Sequence, residues 1–280
     1  MSAINKRKKN YYASFKGKHA KGSHYQLSPG LSGFLFTCNN REKECVRESY
    51  NLLNEYIDKI ADDDKSKLEK TDDIDDDIAK ELQELKTNRR LQQCDTRCNN
   101  IVFVKAPDNV DPIKIVDQIF NDIIASQRQK TRFALRLIPI SKTCKASLDE
   151  IDKCVEELIK ASTDLNVDEE LTFMIQCKVR NNSDMSRMAI VESVALVIKK
   201  QLPKWKVNFD NPSIILNIEV LCKIGCASFL KNFVVFKKYN LIEVVSQPSN
   251  KEETVIKSET ADEQAVVEQV VIVNNEEDNK

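Results

Sequence analysis

The sequence contains few glycines and few histidines, and both shortages exclude classes of functional site. Only five of its 280 residues are glycine, and no glycine-rich phosphate loop of the P-loop or dinucleotide-binding type occurs among them. The two histidines, His19 and His24, both lie in the lysine-rich N-terminal segment. We therefore expect no histidine-based acid–base or nucleophilic site in the folded part of the chain, and we expect no cofactor.

Long apolar runs are also absent. No run approaches the roughly 18 residues that a membrane span needs, and the basic N-terminus lacks the apolar core of a secretory signal. The cysteines number nine, which is odd, and without a signal peptide they indicate a reducing compartment. We therefore expect an intracellular protein with no membrane partner.

The net charge is near zero because oppositely charged segments balance. The formal net charge is −1. Residues 1–28 carry seven Lys and Arg and no acid, whereas residues 58–86 carry twelve acids against six bases, and residues 252–280 carry nine acids against two lysines. Residues 171–240 carry eleven Lys and Arg against four acids, and they also have the clearest strand pattern. A basic surface on a folded unit indicates a polyanion, most simply a nucleic acid.

Three charged segments are predicted to lie outside the fold. Residues 1–30 have almost no aliphatic side chains, which predicts a disordered basic arm. Its aromatic residues among lysines suit stacking on bases, and its lysine run suits nuclear import; the sequence leaves both uses open. An acidic insertion is predicted over residues 58–97, and a disordered acidic tail over residues 247–280.

Between these segments the sequence predicts an α+β fold with two units. Residues 31–140 indicate strand, helix, acidic insertion, strand, helix and strand. Residues 141–246 form the second unit. Its predicted elements are a Ser- and Thr-rich turn followed by a helix that contains Ile151 and Ile159, a strand at 171–180, a helix from Met185, and strands at 214–222 and 229–236.

The transition from the strand at 171–180 to the following helix is the best candidate site. Strand alternation places two cations on one face, and two asparagines then supply turn and helix-cap residues. Free backbone amides at the helix N-terminus favour an anion, and an arginine in the first turn adds a third cation. A solvated surface strand is the alternative, and the asparagines could be caps only. The candidates are Lys178, Arg180, Asn181, Asn182 and Arg187.

Two cysteine pairs raise the possibility of a structural zinc site. Cys94 and Cys98 form one CxxxC pair, and Cys222 and Cys226 form another. Their spacing is loose and the second pair falls at a strand end, so buried free thiols are the favoured interpretation. The sequence therefore predicts no metal.

Five segments, in the same order, resemble a known family. They are GFLFTCNNREKECVRESYNLLNEY, LIPISKTCKAS, CKVRNN with Ser186 and Arg187, NPSIILNIEVLCKIGCAS, and FKKYNLIEVV. Together they resemble the THUMP-domain tRNA acetylation adaptors, the THUMP domain-containing protein 1 type of animals and its yeast counterpart. The resemblance covers residues 31–247. It implies an N-terminal ferredoxin-like domain over residues 31–140, followed by a THUMP domain over residues 141–246.

The resemblance implies a function that the residue patterns alone do not. THUMP domains bind tRNA and are usually fused to a catalytic domain, for which the acidic tail is too short and too polar. The adaptor type presents tRNAs of the serine and leucine class to a separate RNA cytidine acetyltransferase. That enzyme uses acetyl-CoA and ATP to form N4-acetylcytidine in the D-arm. We therefore expect a tRNA-binding adaptor that is not an enzyme, in the nucleus and specifically the nucleolus.

The resemblance also implies which residues contact RNA. The five candidates at the strand-to-helix transition come first, because motif and geometry agree there. Lys142, Thr143 and Lys145 of the segment ISKTCKAS come second, and Lys223 could extend the basic surface. Two other functions stay open: a general RNA-binding scaffold of ribosome biogenesis, and a THUMP-type RNA-modifying enzyme that uses Cys or carboxylate chemistry.

Overall fold

The computed structural model describes residues 25–67, 91–162 and 170–245. It places them in an α+β fold with two five-stranded sheets, so the predicted fold class is confirmed. Three predicted segments lie outside the described residues: the basic arm up to residue 24, residues 68–90 of the acidic insertion, and the whole tail at residues 247–280.

The described residues of the first half build one sheet with two helices. The strand order is β1-β3-β4-β2-β5. The four strands from β3 to β5 in this order pair antiparallel with one another, whereas β1 pairs parallel with β3. From β2 to β5 the chain runs β-α-β-β-α-β, which is the element order of a ferredoxin-like unit. The elements are β1 (Tyr25–Gln26), β2 (Gly33–Cys38), α1 (Glu42–Lys67), β3 (Gln92–Asp95), β4 (Ile101–Lys105), α2 (Pro112–Ser126) and β5 (Ala134–Ile140).

The second half builds the other sheet, again with two helices. Its strand order is β6-β10-β9-β7-β8. The central pair β7 and β9 is parallel, whereas β10 runs antiparallel to both β9 and β6. The elements are β6 (Lys142–Lys145), α3 (Leu148–Ala161), β7 (Thr172–Arg180), α4 (Arg187–Gln201), β8 (Lys206–Val207), β9 (Ile214–Leu221) and β10 (Ile224–Leu230).

The helix α2 begins where the sequence signals indicate, whereas α4, predicted from Met185, begins at Arg187. Asp111 caps α2, since its carboxylate accepts a hydrogen bond from the amide of Ile113 at 2.9 Å, and Pro112 occupies the first helical position. Proline suits that position because its missing N–H would have no partner there. Within the described residues no helix is long and apolar enough to cross a membrane.

The second sheet is covered on both faces, and this determines where its polar residues lie. One face, with Ile175 and Ile218, packs against α3 and α4. The opposite face, with Met174, belongs to the apolar cluster that contains the first sheet. All eight residues of β9 are therefore buried. Asn217 and Glu219 are its two polar exceptions.

Two predicted segment boundaries are wrong. β1 lies inside residues 1–30, which were predicted to be disordered, and the amide of Leu27 after it donates to the carbonyl of Asp95 at 3.1 Å. β3 lies inside the predicted insertion at 58–97, and α1 continues to Lys67. Both strands are short and polar, so backbone pairing at the edge of the sheet holds them and periodicity does not reveal them.

The described chain ends by returning to the first half. The strand predicted at 229–236 is wrong, because β10 ends at Leu230. Phe236 and Tyr239 are buried against Phe120 of α2, with ring centroids 4.8 and 5.3 Å from that of Phe120. The apolar residues after β10 therefore cover the core of the first half and do not extend the strand.

Candidate nucleic-acid interface

Four strands of the second sheet meet at one edge, which we name the strand-end edge. β6, β7 and β9 end there and β10 begins there. Arg180 is in register with Leu221, and Ile224 is in register with both Leu221 and Lys145. The strand-end edge consists of Lys145, residues 180–187 and the turn at residues 222–223.

Both helices of the second half begin at the strand-end edge, so their free backbone amides lie there. In the described structure neither N-cap residue, Ser147 or Ser186, makes a capping hydrogen bond with its side chain. The first turn of α3 carries Asp149 and Glu150, whereas the first turn of α4 carries no acid. The N-terminus of α4 is therefore the better place for an external anion, because no carboxylate in its first turn repels one.

The structure brings four of the predicted cations to this edge. Lys145 and Lys223 are exposed on neighbouring strand ends, where the amide of Ala146 donates to the carbonyl of Lys223 at 2.9 Å. Arg180 is the last residue of β7, and Arg187 is the first residue of α4. Lys145 and Lys223, the first and last of these four cations in the sequence, are 78 residues apart. The cations come together only because the strand ends converge.

Lys178 and Arg180 lie on the sheet face that is turned toward the first half. Lys178 is half-buried and in register with Glu219 of β9. The side chain of Glu219 is 1% exposed, and its Oε2 lies 3.6 Å from Nε of Arg180, whose side chain is 39% exposed. Arg180 therefore stands between a buried carboxylate and the solvent at the strand-end edge.

The first half contributes a cation that the sequence analysis missed. Arg97 is exposed in the turn between β3 and β4. Its carbonyl accepts hydrogen bonds from Nδ2 of Asn181 at 2.9 Å and from Sγ of Cys222 at 3.6 Å. Its guanidinium donates to Oε1 of Gln26 at 3.2 Å. The one sequence signal near it was the adjacent cysteine, Cys98, in a CxxxC pair.

The two asparagines after β7 use their side chains to build the loop. Asn181 has a left-handed φ of 52°, which asparagine tolerates better than most residues. Oδ1 of Asn182 accepts from the amides of Asp184 and Met185 at 2.8 and 3.0 Å, and its Nδ2 donates to the carbonyl of Cys222 at 2.6 Å. These bonds favour the structural role that the sequence left open, here as an Asx turn.

Thr143 does not belong to the interface. It is 1% exposed, and its hydroxyl donates to the carbonyl of Ser28 and accepts from the amide of Leu31, both at 2.8 Å. The prediction that Thr143 contacts RNA is wrong, because these bonds hold the loop before β2 against β6. Lys142, also predicted, is paired with Glu157, and this hydrogen bond raises the pKa of Lys142.

The two cysteine pairs do not come together as one cluster. Cys98 approaches Cys222 instead, with their Sγ atoms 3.8 Å apart, while Cys94 and Cys226 are buried in their own strands. Burial raises the pKa of the Cys98 thiol to about 12, whereas zinc requires thiolates. No group of three or more His, Cys, Asp or Glu side chains suited to a metal occurs among the described residues.

The fold and the edge define an α+β protein whose second sheet ends in a surface rich in lysine and arginine. The sequence profile of the THUMP domain matches residues 145–227, a range that contains the whole strand-end edge. The chain is 36% identical to mouse THUMP domain-containing protein 1 over 249 residues, which are 82% of this chain and 70% of that protein. It belongs to the family of THUMP domain-containing protein 1.

Two further relatives bear on the chain's length and function. The bovine THUMP domain-containing protein 1 is 36% identical over 238 residues, which are 80% of this chain and 66% of the relative. The chain thus spans about two thirds of the length of these mammalian proteins. A Saccharomyces cerevisiae protein named tRNA acetyltransferase TAN1 is 26% identical over 261 residues, covering 81% of this chain and 89% of that protein.

Proposed function

We propose that this chain is a non-catalytic adaptor for tRNA acetylation. It binds tRNAs of the serine and leucine class and presents them to a separate RNA cytidine acetyltransferase, which forms N4-acetylcytidine in the D-arm. The strand-end edge of the THUMP domain carries this proposal, because it joins several cations to the N-terminus of a helix. Family membership and the name of the yeast relative support tRNA as the polyanion.

The chemistry of the edge suits the phosphate backbone of RNA. Lys145, Arg180, Arg187 and Lys223 supply positive charge, and the first amides of α4 supply hydrogen-bond donors. Contacts to phosphates position an RNA without reading its bases. Selection among tRNAs therefore depends on the shape of the tRNA, as is usual where a protein contacts the phosphate backbone of a folded RNA.

Two of the buried thiols, those of Cys45 and Cys98, are unsuited to nucleophilic chemistry. Burial raises the pKa of Cys45 and of Cys98 to about 12 in each case. A thiol with such a pKa is protonated at neutral pH and is a poor nucleophile. Both histidines of the sequence lie outside the described residues.

The proposal includes a nuclear, nucleolar location. The run Lys6-Arg7-Lys8-Lys9 supports nuclear import, since clustered lysines and arginines form such signals. Imaging of a tagged chain with these four residues replaced by alanine tests it. If the tagged variant is still found in the nucleus, the lysine-rich run is not the nuclear-import signal.

The deciding experiment measures N4-acetylcytidine by mass spectrometry in purified serine and leucine tRNAs from cells that lack the protein. We expect the mark to disappear, to return with the wild-type chain, and to stay absent with Arg180→Ala/Arg187→Ala. The matched control is Lys153→Ala/Lys206→Ala, which removes two cations that are 68% and 70% exposed and paired with acids. Lys206 lies at the opposite end of β7 from Arg180, in register with Thr172.

The other outcomes point to different functions. If the mark persists in cells without the protein, the adaptor proposal is overturned. A scaffold of ribosome biogenesis would bind random RNA of equal length as well as it binds tRNA in competition. An RNA-modifying enzyme would change tRNA when the purified chain is incubated with it alone.

A further inference from the structure

Glu219 is a buried side chain whose carboxyl oxygens accept no hydrogen bond from the described residues. It lies in the middle of β9, in register with Lys178 of β7 and Cys226 of β10. No described residue donates a hydrogen bond to Oε1 or Oε2 of Glu219, and both atoms are buried. Withdrawing a carboxylate from water without such bonds is strongly unfavourable, so a chain keeps one there only if something compensates.

Arg180 is a cation that lies close to this carboxylate. Its Nε lies 3.6 Å from Oε2 of Glu219 and is itself buried without a hydrogen-bond partner among the described residues. The Arg180 side chain as a whole is nevertheless 39% exposed. One side of the guanidinium group therefore faces the buried carboxylate, and the exposed part of the side chain lies at the strand-end edge.

We infer that Glu219 is a positioning residue that holds Arg180 in the orientation in which it contacts an RNA phosphate. This inference rests on the proposed function, in which Arg180 is an RNA contact. An arginine on an open surface loses rotamer freedom when it binds, and that loss weakens affinity. A guanidinium that is already held along its Nε side loses less rotamer freedom on binding. Because the guanidinium is planar, its remaining N–H donors stay directed outward.

Simple electrostatics predicts the opposite effect. A carboxylate next to an RNA-binding edge repels phosphates, so its removal alone would tighten the binding of RNA. If Glu219 positions Arg180, its removal weakens binding although the protein becomes more positive. The sign of the change in affinity therefore separates the two roles.

The experiment is a double-mutant cycle on the full chain, with a serine tRNA transcript as the probe and affinity measured over a series of salt concentrations. Glu219→Gln keeps the size of the side chain, and we expect it to weaken binding by about three- to tenfold. Arg180→Ala should weaken binding and flatten the salt dependence by about one unit of slope. In the Arg180→Ala background, Glu219→Gln should weaken binding no further.

A second variant keeps the inference testable if Glu219→Gln does not fold, which thermal unfolding would reveal. Arg180→Lys leaves Glu219 untouched and retains a positive charge, but it cannot reproduce the Nε contact and the fork. We expect it to lose most of the affinity that Arg180→Ala loses. Full affinity in Arg180→Lys, or unchanged or tighter binding in a folded Glu219→Gln, would overturn the positioning role. Unchanged binding in Arg180→Ala would instead overturn the RNA face of the proposed function.

Discussion

Thr143 illustrates how one buried hydroxyl joins the two halves of the molecule. Thr143→Val preserves the shape of the side chain but leaves the amide of Leu31 and the carbonyl of Ser28 without their partner. We expect the free energy of unfolding to fall by about 1–3 kcal/mol, because partly buried polar groups lose their hydrogen bonds. Urea unfolding followed by the fluorescence of Trp205 measures the change.

The same threonine provides its own control. Thr143→Ser keeps the hydroxyl and should cost clearly less stability than Thr143→Val. Both variants should bind tRNA with wild-type affinity at temperatures where they are folded. Weaker binding by folded Thr143→Val would restore Thr143 as a contact residue.

Asp117 in α2 makes the stability depend on pH. Burial raises its pKa to about 6, against a smaller opposing effect of Lys231. In the unfolded chain the pKa is about 3.9, so the folded state holds the proton more tightly. Stability therefore falls as pH rises from about 4 to about 6, and the full penalty applies at pH 7.

Asp117→Asn should remove this penalty. We expect the variant to be more stable than wild type by about 1 kcal/mol at pH 7, a value reduced for the solvent that screens this half-buried group. The gain should vanish below about pH 4. Unfolding curves at both pH values test this, and an equal gain at both would mean that the amide acts through packing and not through ionisation.

The N-terminus of α4 makes opposite predictions for stability and for binding. Ser186→Asp places a carboxylate among the free amides, which should stabilise the helix by about 0.3–1 kcal/mol. The same charge occupies the site proposed for phosphate, so tRNA affinity should fall and the slope of its salt dependence should decrease by about one. Thermal unfolding and salt-dependent binding measure the two effects.

A charge at the other end of the same helix is the matched control. Gln201→Glu changes the net charge equally but lies at the C-terminal end of α4. It should leave tRNA affinity close to wild type and should not stabilise the helix. Equal loss of affinity in Ser186→Asp and Gln201→Glu would mean that net charge, and not the helix N-terminus, controls binding.

The sequence predicted those elements that carry their own local signals. Asp111 followed by Pro112 marks the start of α2, and the alternation before Arg180 marks β7, because caps and periodicity are properties of short segments. β1 and β3 have no such signal, since they are short and polar and depend on pairing with distant strands. The predicted strand at 229–236 failed because β10 ends at Leu230, and Phe233 and Phe236 after it pack in the cluster that contains the first sheet.

The candidate site could be predicted in part for the same reason. Arg180 and Arg187 lie on either side of one turn, so local geometry places them together. Arg97 reaches the edge only through contacts with residues more than 80 positions away, and no local pattern encodes them. Thr143 has the composition of a surface turn residue, and its burial results from pairing with the loop before β2.

The segment after β10 should make the two halves unfold together. Phe236 of this segment packs on α2 of the first half, whereas the single tryptophan, Trp205, lies in the core of the second half. Phe236→Ala should destabilise the protein by about 3–5 kcal/mol through the cavity it leaves. We expect Trp205 fluorescence and far-ultraviolet circular dichroism to report the same lowered unfolding midpoint.

An exposed neighbour controls for the substitution itself. Val235→Ala, at a side chain that is 61% exposed, should change stability by less than about 0.5 kcal/mol. A Phe236→Ala variant with an unshifted Trp205 transition would show that the halves unfold separately.

A single residue, Ser141, separates β5 from β6. Its amide donates to the carbonyl of Ala227 at 3.2 Å, so even this residue is held in place. Two modules on a flexible tether meet each other's ligands at an effective concentration that depends on tether length. The connection between β5 and β6 is too short to act as such a tether. If a partner binds the first half and RNA binds the second, the two ligands are therefore held at one fixed distance. A few glycines and serines inserted at this residue would replace the fixed separation of the two halves with a flexible tether.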